Sequence, residues 1–487
     1  MSNLGDLDYA FGVLARDPFP RPSAAEVDRL RIALDRALGG SKVLTSNEAC
    51  ERFAADESDQ EPVLPDAVVL AKTADDIAKT LAVASDLQMP VTPRAGGTGK
   101  SGGAVPVCGG VVLSVIGMTD IKEIDTREQL VVVEPGVILN DLHRAVEAEG
   151  MFYPPDPNSR ESCALGGNVA ENAGGPRAFK YGVTRDYVLA LDALTAEGHR
   201  LQTGRRTIKG VTGYDTTALL VGSEGTLAVV VEATLRLRKK PPSVATLLEW
   251  FSDVGSCADH VGDIVAAGLV PRCMELMDSS CLEAMRTEGV AVPSDAGAML
   301  LVELDGTEDE CLRDMEQLGT MATEGQALDV VVAQSGTQRA KLWAVRSEMT
   351  NIVKKLARHK IAEDVVVPRS KMAELIDEAK LIGEARQLRI FAYGHAGDGN
   401  LHVNVLWNED DQLGHVRRAL EELFRVVVRL GGTLTGEHGV GTSKSKYLGY
   451  ELSTEHIAMQ RRIKELFDPK GILNPGKIFP RSGHGAC

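Results

Sequence analysis

The segment Tyr393 to Asn404 reads Y-G-H-A-G-D-G-N-L-H-V-N, with His395 and His402 on either side of a Gly-Asp-Gly-Asn turn. A tight turn sets adjacent chain segments side by side, so the two imidazoles can converge. Further along, Gly436-Glu437-His438-Gly439-Val440-Gly441 supplies a carboxylate and a third histidine inside another glycine frame. Three of the chain's 10 histidines therefore fall in two such segments, with Asp398, Asn400 and Asn404 close by in sequence. Two neutral imidazoles and one carboxylate would hold a divalent metal and leave coordination positions open for substrate. The plainer alternative is histidines that satisfy backbone groups in ordinary turns. Arg346, in Trp343-x-x-Arg346, is a candidate bidentate clamp for a carboxylate; a solvated helix arginine is the alternative.

Three glycine clusters precede these residues. The first, Pro93 to Gly103, satisfies G-x-G-x-x-G at Gly97, Gly99 and Gly102. A dinucleotide fingerprint needs a helix opening directly on the glycines, and Ala104-Val105-Pro106 cannot supply one. Gly99-Lys100-Ser101 imitates the end of a P-loop, but Arg94 stands where its first glycine belongs. What survives is a run of backbone N–H groups free to face an anion. A second cluster runs from Pro154 to Tyr181 and a third from Gly222 to Thr226. Three glycine-rich loops separated by strands would line one long ligand.

The elements that must carry these segments are well punctuated. Ser23 and Glu26 form a capping box before a helix that ends at Gly39-Gly40. Val68-Val69-Leu70, a helix capped by Thr73, and Met89 to Arg94 give strand, helix, strand. Leu130 to Glu134, Val188 to Ala196 and Leu227 to Leu237 read as strands, and Ile138 to Glu149 as a helix. Lys239-Lys240-Pro241-Pro242 marks a boundary, beyond which helices alternate with strands at Ala298 to Leu304, Ile390 to Tyr393 and Leu401 to Leu406. Thr337 to Lys360 reads as one long helix bearing Arg346.

Composition narrows the class. With 487 residues and 44% hydrophobic content the chain can build two or three cores, and a net charge of −16 argues against nucleic acid as partner. The eight cysteines form no C-x-x-C pair, which disfavours an iron–sulfur cluster and suits buried thiols. Neither a signal peptide nor an apolar run of membrane-spanning length is visible, so a cytoplasmic protein, at most peripheral to a membrane, is expected.

Taken in order, P-R-A-G-G-T-G, G-G-N-V-A-x-N-A-G-G and G-S-E-G-T-L resemble the FAD domain of the vanillyl-alcohol-oxidase type. The nearest branch holds D-lactate dehydrogenase, glycolate oxidase and D-2-hydroxyglutarate dehydrogenase. The resemblance implies an α+β chain, with a two-subdomain FAD-binding domain and a substrate domain built on an antiparallel sheet. The expected division is a helical segment over 1–60, the FAD domain over 61–240, a substrate and metal domain over 241–455, and a segment over 456–487 that returns to the flavin. It implies FAD contacts from Arg94, Ala95, Gly96, Gly97, Thr98 and Gly99 in the first cluster. Pro155, Asp156, Ser159, Gly166, Gly167, Asn168, Asn172, Gly174, Gly175 and Tyr181 match in the second. Gly225 matches in the third, and Asn474 in the closing F-D-P-x-G-x-L-N-P-G-K motif. Thr98 stands where some relatives attach a histidine to the flavin, so the FAD is expected to be non-covalent.

The same resemblance implies that His395, His402 and Glu437 hold zinc or manganese, that His438 is the general base, and that Arg346, Thr350 and Asn404 contact substrate. In that scheme the metal lowers the pKa of a D-2-hydroxy acid's hydroxyl, His438 takes the proton, and hydride passes to flavin N5. Electrons then leave to a cytochrome, a quinone or an electron-transferring flavoprotein, and a homodimer is one option for assembly. The hydroxyglutarate-specific branch carries a lysine two residues before the aspartate of D-V-x-x-P; Ala362 stands there. D-lactate or glycolate is therefore the favoured substrate. Lys360 keeps D-2-hydroxyglutarate open, and an O₂-using oxidase of the same family is a further alternative. A non-catalytic flavin subunit would lack the histidine and glutamate set, and a nicotinamide-dependent reductase would not require it.

Overall fold

The computed structural model describes residues 19–480. Those residues divide into two compact units. The first takes the described residues up to Ala173, then Val183–Lys240, and the chain from Glu437 onward; the second takes Gly174–Gly182 and Pro241–Gly436.

In the first unit, Ser23 and Glu26 close the capping box of the helix Ala24–Leu38, which buries Val27, Leu30 and Leu34. Leu30 and Leu34 join Ile77 and Leu81 of the helix Ala74–Leu87 over Val69, Val91 and Leu113 of a four-stranded sheet. Each such side chain, fully buried, contributes roughly 1.5–3 kcal/mol. The strands Ala67–Leu70 and Val91–Arg94 do not pair with each other. Val111–Ser114 lies between them, parallel to both. It is buried at all four positions, as a central parallel strand covered on both faces must be. A five-stranded antiparallel sheet follows, in the order Ile121–Asp125, Leu130–Val133, Val229–Arg236, Val188–Leu194, Arg200–Gly204.

One expected loop is a helix. Gly166, Gly167 and Asn168 lie inside Leu165–Glu171, closed by Asn172 in the left-handed region at φ 56°. The glycines serve close packing there, since a Cβ on Gly166 would come within 2.7 Å of Pro135 Cβ.

The second unit is a seven-stranded antiparallel sheet. Its order is Asp329–Val332, Ser243–Phe251, Ala298–Gly306, Cys273–Met277, Arg389–His395, Asn400–Trp407, His359–Val366. The helix bearing Arg346 spans Gly336–Lys355, with Ser335 as its cap, and is shorter than the sequence pattern implies. His359–Val366 is instead an edge strand, because its backbone pairs along its whole length with Asn400–Trp407. Met349, Ile352 and Val353 of the helix pack with Leu282 and Met285 against Met277, Leu301, Phe391 and Leu406 of the sheet. Among the described residues no helix is long and apolar enough to cross a membrane.

Candidate functional site

Sheet register decides which candidate residues meet in the second unit. Tyr393 and Asp364 both lie opposite His402, Ala362 opposite Asn404, and His395 opposite Asn400. Side chains alternate along a strand, so Asn400, His402 and Asn404 share one face. Tyr393 and His395 join that face from one neighbouring strand, and Ala362 and Asp364 from the other. Glu275, opposite His395 on the next strand, extends the row.

Glu275 ties two of the predicted residues together. His395 Nδ1 lies 2.5 Å from Glu275 Oε1, and Arg346 Nε donates to Glu275 Oε2 at 2.8 Å. With its proton on Nδ1, a neutral His395 carries its lone pair on Nε2, the state a metal ligand requires. Burial pushes the Glu275 carboxyl up, but its interactions with His395 and with the Arg346 guanidinium, including a hydrogen bond from each, outweigh it and hold the group below its usual range. The Arg346 guanidinium also lies over the Tyr393 ring, at 4.7 Å from its centroid. One turn further along the helix, Thr350 Oγ1 is 3.4 Å from Tyr393 Oη. The His395 and His402 rings meet edge to face with centroids 5.3 Å apart. Asn404, fully buried, donates to the His402 carbonyl at 3.1 Å, and Lys360 Nζ lies 3.4 Å from Asn404 Oδ1. Arg346, Thr350, Asn404, His395 and His402 are thus gathered on one face.

Asp364 shares that face and was not among the predicted ligands. It is fully buried, accepts from Asn400 Nδ2, Thr435 Oγ1 and the Gly436 N–H at 2.5, 3.0 and 2.8 Å, and lies 3.9 Å from His402 Nδ1. It therefore anchors the end of the segment that leads by a single peptide bond to Glu437, where the chain passes back to the first unit. Its sequence signal was the D-V-x-x-P segment that it opens, in a strand that also carries Lys360 and Glu363. Glu275 had less: it is 120 residues from His395.

In the first unit the glycine clusters approach one another at the backbone. A Cβ on Gly96 would sit 2.7 Å from the Ser162 carbonyl, and one on Gly97 would strike the Arg94 guanidinium. Arg94 Nη1 donates to the Ala55 carbonyl at 2.7 Å, and burial lowers its pKa. The Gly99 carbonyl accepts from Glu57, and Ala95 packs 3.7 Å from the Cβ position of Gly167. In the second cluster the Pro155 carbonyl bonds His143 Nε2 at 3.0 Å, Asp156 takes Arg160, and the Ser159 carbonyl accepts two N–H groups of its own turn. Asn172 Oδ1 accepts from the Arg185 N–H at 2.8 Å. Asn168 is buried, and its Nδ2 has no hydrogen-bond partner among the described residues. A buried orphan donor is costly unless a ligand satisfies it. Together with the Cβ-free backbone at Gly96 and Gly97, it suits an extended polar cofactor.

Gly174, Gly175 and Tyr181 fall in the second unit, where Tyr181 Oη donates to Asp305 Oδ2 at 2.8 Å. Gly225 holds φ 65° beside Pro93. Asn474 bridges the first and third clusters, donating to the carbonyls of Gly103 and Glu224 at 3.1 and 2.7 Å. Burial and the neighbouring Glu224 and Asp56 charges push the Glu171 carboxyl well above its usual range.

A glycine-rich unit and an antiparallel sheet unit that displays histidine, arginine and asparagine are the parts expected of a flavin-dependent oxidoreductase, and the comparisons agree. Residues 65–204 match the FAD binding domain model, and residues 240–478 match the model for FAD linked oxidases, C-terminal domain. The glycolate oxidase subunit GlcD of Bacillus subtilis is 40% identical over 432 residues, covering 88% of this chain and 92% of the relative. D-lactate dehydrogenase of Anaerostipes hadrus is 34% identical, covering 91% and 96%. Among solved structures, 4-ethylphenol oxidase from Gulosibacter chungangensis superposes with a TM-score of 0.76 at 18% identity, covering 95% of this chain and 99% of that one. The chain belongs to the FAD-linked oxidases of vanillyl-alcohol-oxidase type, in the branch that includes these glycolate oxidase and D-lactate dehydrogenase relatives.

Proposed function

We propose that this enzyme oxidises a D-2-hydroxy acid, with D-lactate or glycolate favoured, to the 2-oxo acid. The observation that carries the reading is the bridge from Arg346 through Glu275 to His395, which sets a guanidinium and an imidazole on one sheet face, as a carboxylate clamp and a metal ligand would require. The names of the relatives support the substrate class.

The glycine clusters would hold FAD, and His395, His402 and Glu437 would hold zinc or manganese. When bound, FAD supplies the two-electron acceptor and the metal supplies Lewis acidity at the substrate hydroxyl. The chain's own residues do the rest. Arg346 binds the substrate carboxylate, and Glu275 keeps the guanidinium from rotating away. Asn404 and Thr350 orient the hydroxyl. His438 receives the hydroxyl proton as general base. A separate acceptor, whether cytochrome, quinone or electron-transferring flavoprotein, takes the electrons onward.

Ala362, opposite Asn404, offers no partner to a second carboxylate, which favours a monocarboxylate. Lys360, 3.4 Å from Asn404 Oδ1, supports D-2-hydroxyglutarate as the second reading.

Anaerobic bleaching of the flavin with a panel of D- and L-2-hydroxy acids tests the proposal. D-lactate and glycolate should bleach it and L-lactate should not. If no D-2-hydroxy acid bleaches the metal-loaded enzyme, the reaction assigned here is wrong.

A further inference from the structure

Glu224 belongs to the third glycine cluster and is almost fully buried. Its backbone has φ 51°, the left-handed region that favours glycine. A glutamate held there by its surroundings suggests that the side chain has a task.

That side chain reaches the segment directly after His438. The Val440 N–H donates to Glu224 Oε1 and the Gly441 N–H to Oε2, each at 2.7 Å. Gly439 and Gly441 have φ of +83° and +48°, so the two successive N–H groups form a concave anion nest, filled by a carboxylate of the chain itself. The segment is also confined from either side. A Cβ on Gly439 would sit 2.1 Å from Glu171 Oε2, and one on Gly441 would sit 2.1 Å from the Ser101 carbonyl. Ser101 O further accepts the N–H groups of Thr442 and Ser443 at 2.9 and 3.1 Å. Asn474 holds the Glu224 carbonyl from behind at 2.7 Å.

We infer that Glu224 is a positioning residue for catalysis: its carboxylate, seated in the nest of Val440 and Gly441, fixes the backbone that aims His438. The inference rests on His438 as the base. It gives the third cluster a role beyond lining the cofactor, and it explains why a glutamate occupies a glycine-type conformation.

The test compares Glu224→Gly, Glu224→Gln, His438→Ala and the double variant Glu224→Gly/His438→Ala as FAD- and metal-loaded full chains. Glycine suits the left-handed backbone, so Glu224→Gly removes the carboxylate while relieving the conformation, and its flavin absorbance should match the parent. The limiting rate of anaerobic bleaching by D-lactate should fall about 10- to 100-fold in Glu224→Gly, the range of a lost charge-assisted clamp. The half-saturating D-lactate concentration should stay within about twofold, because the carboxylate clamp is untouched. Glu224→Gln, which keeps one acceptor oxygen, should recover part of the rate. The double variant should be no slower than His438→Ala, since Glu224 acts only through that residue. A parental rate in Glu224→Gly overturns the inference. So does a double variant slowed by the product of the two single effects. A parental rate in His438→Ala would instead remove the base assignment on which the inference rests, and a Glu224→Gly chain that loses flavin would make the residue a cofactor-site support and refute the positioning role.

Discussion

At the scale of single residues, the carboxylate of Glu275 matters because it has two partners at once. Its oxygens divide between His395 and Arg346, all three groups are nearly fully buried, and any change to one is felt by the others. Arg346→Lys keeps the positive charge beside Glu275 but loses the planar fork, so the chain should fold while recognition weakens. The expected result is a roughly 100-fold fall in kcat/KM for D-lactate, carried mainly by KM, measured from the concentration dependence of flavin bleaching. Arg346→Ala should do worse, because it strands a buried carboxylate at a cost of about 3–5 kcal/mol and lowers Tm as well. Lys360 offers a finer test of substrate choice. Lys360→Ala should lower turnover of D-2-hydroxyglutarate relative to that of D-lactate by about tenfold, as expected for loss of one partly exposed charge contact. An unchanged ratio would show that Lys360 does not meet a distal carboxylate.

At the scale of elements, the hairpin formed by Arg389–His395 and Asn400–Trp407 carries both candidate metal histidines, and it leaves no room for a side chain at Gly394 or Gly399. Gly399 has φ +77°, and a Cβ there would lie 2.0 Å from the Val367 carbonyl; one on Gly394 would lie 2.3 Å from the Asn400 carbonyl. Gly399→Ala should therefore cost about 2–4 kcal/mol, combining backbone strain with a backbone clash. It should lower Tm in a calorimetric scan and reduce the metal retained after dialysis, with FAD absorbance largely kept. The hairpin was legible in the sequence because G-D-G-N between apolar runs has a local cause. The helix Leu165–Glu171 was not, because its paired glycines read as loop chemistry. Only the approach of Pro135, far along the chain, shows that they serve packing.

At the scale of the whole molecule, the stability of this strongly acidic chain should carry a pH signature from Lys477. Its ammonium is buried and donates to the Val105 carbonyl at 2.5 Å; burial lowers its pKa to about 8 from 10.5, against the opposing pull of Asp56 and Glu224. Between those two pH values the unfolded chain binds the proton that the folded chain has released. The contribution of Lys477 to stability is therefore lowest below pH 8 and rises as pH climbs toward 10.5. General repulsion in a chain of net charge −16 works the other way, so the parent must be compared with Lys477→Met. Across roughly pH 8 to 10 the difference in unfolding free energy should move in favour of the parent by about 2 kcal/mol, measured by denaturant titration. A difference independent of pH would show that Lys477 is not buried as a titrating group.

What the sequence determined by itself was whatever depends on near neighbours. The helix caps at Ser23 and Thr73, the hairpin that brings His395 and His402 together, the glycine clusters and the family that they mark all arise from residues a few positions apart. Tertiary structure alone decided which carboxylates serve those residues. Glu275 lies 120 residues from His395, and Glu224 lies 216 residues from Val440. Each sits in a segment whose own pattern says only strand or turn. Sheet register places the first and close backbone approach places the second, and both depend on distant parts of the chain being packed together.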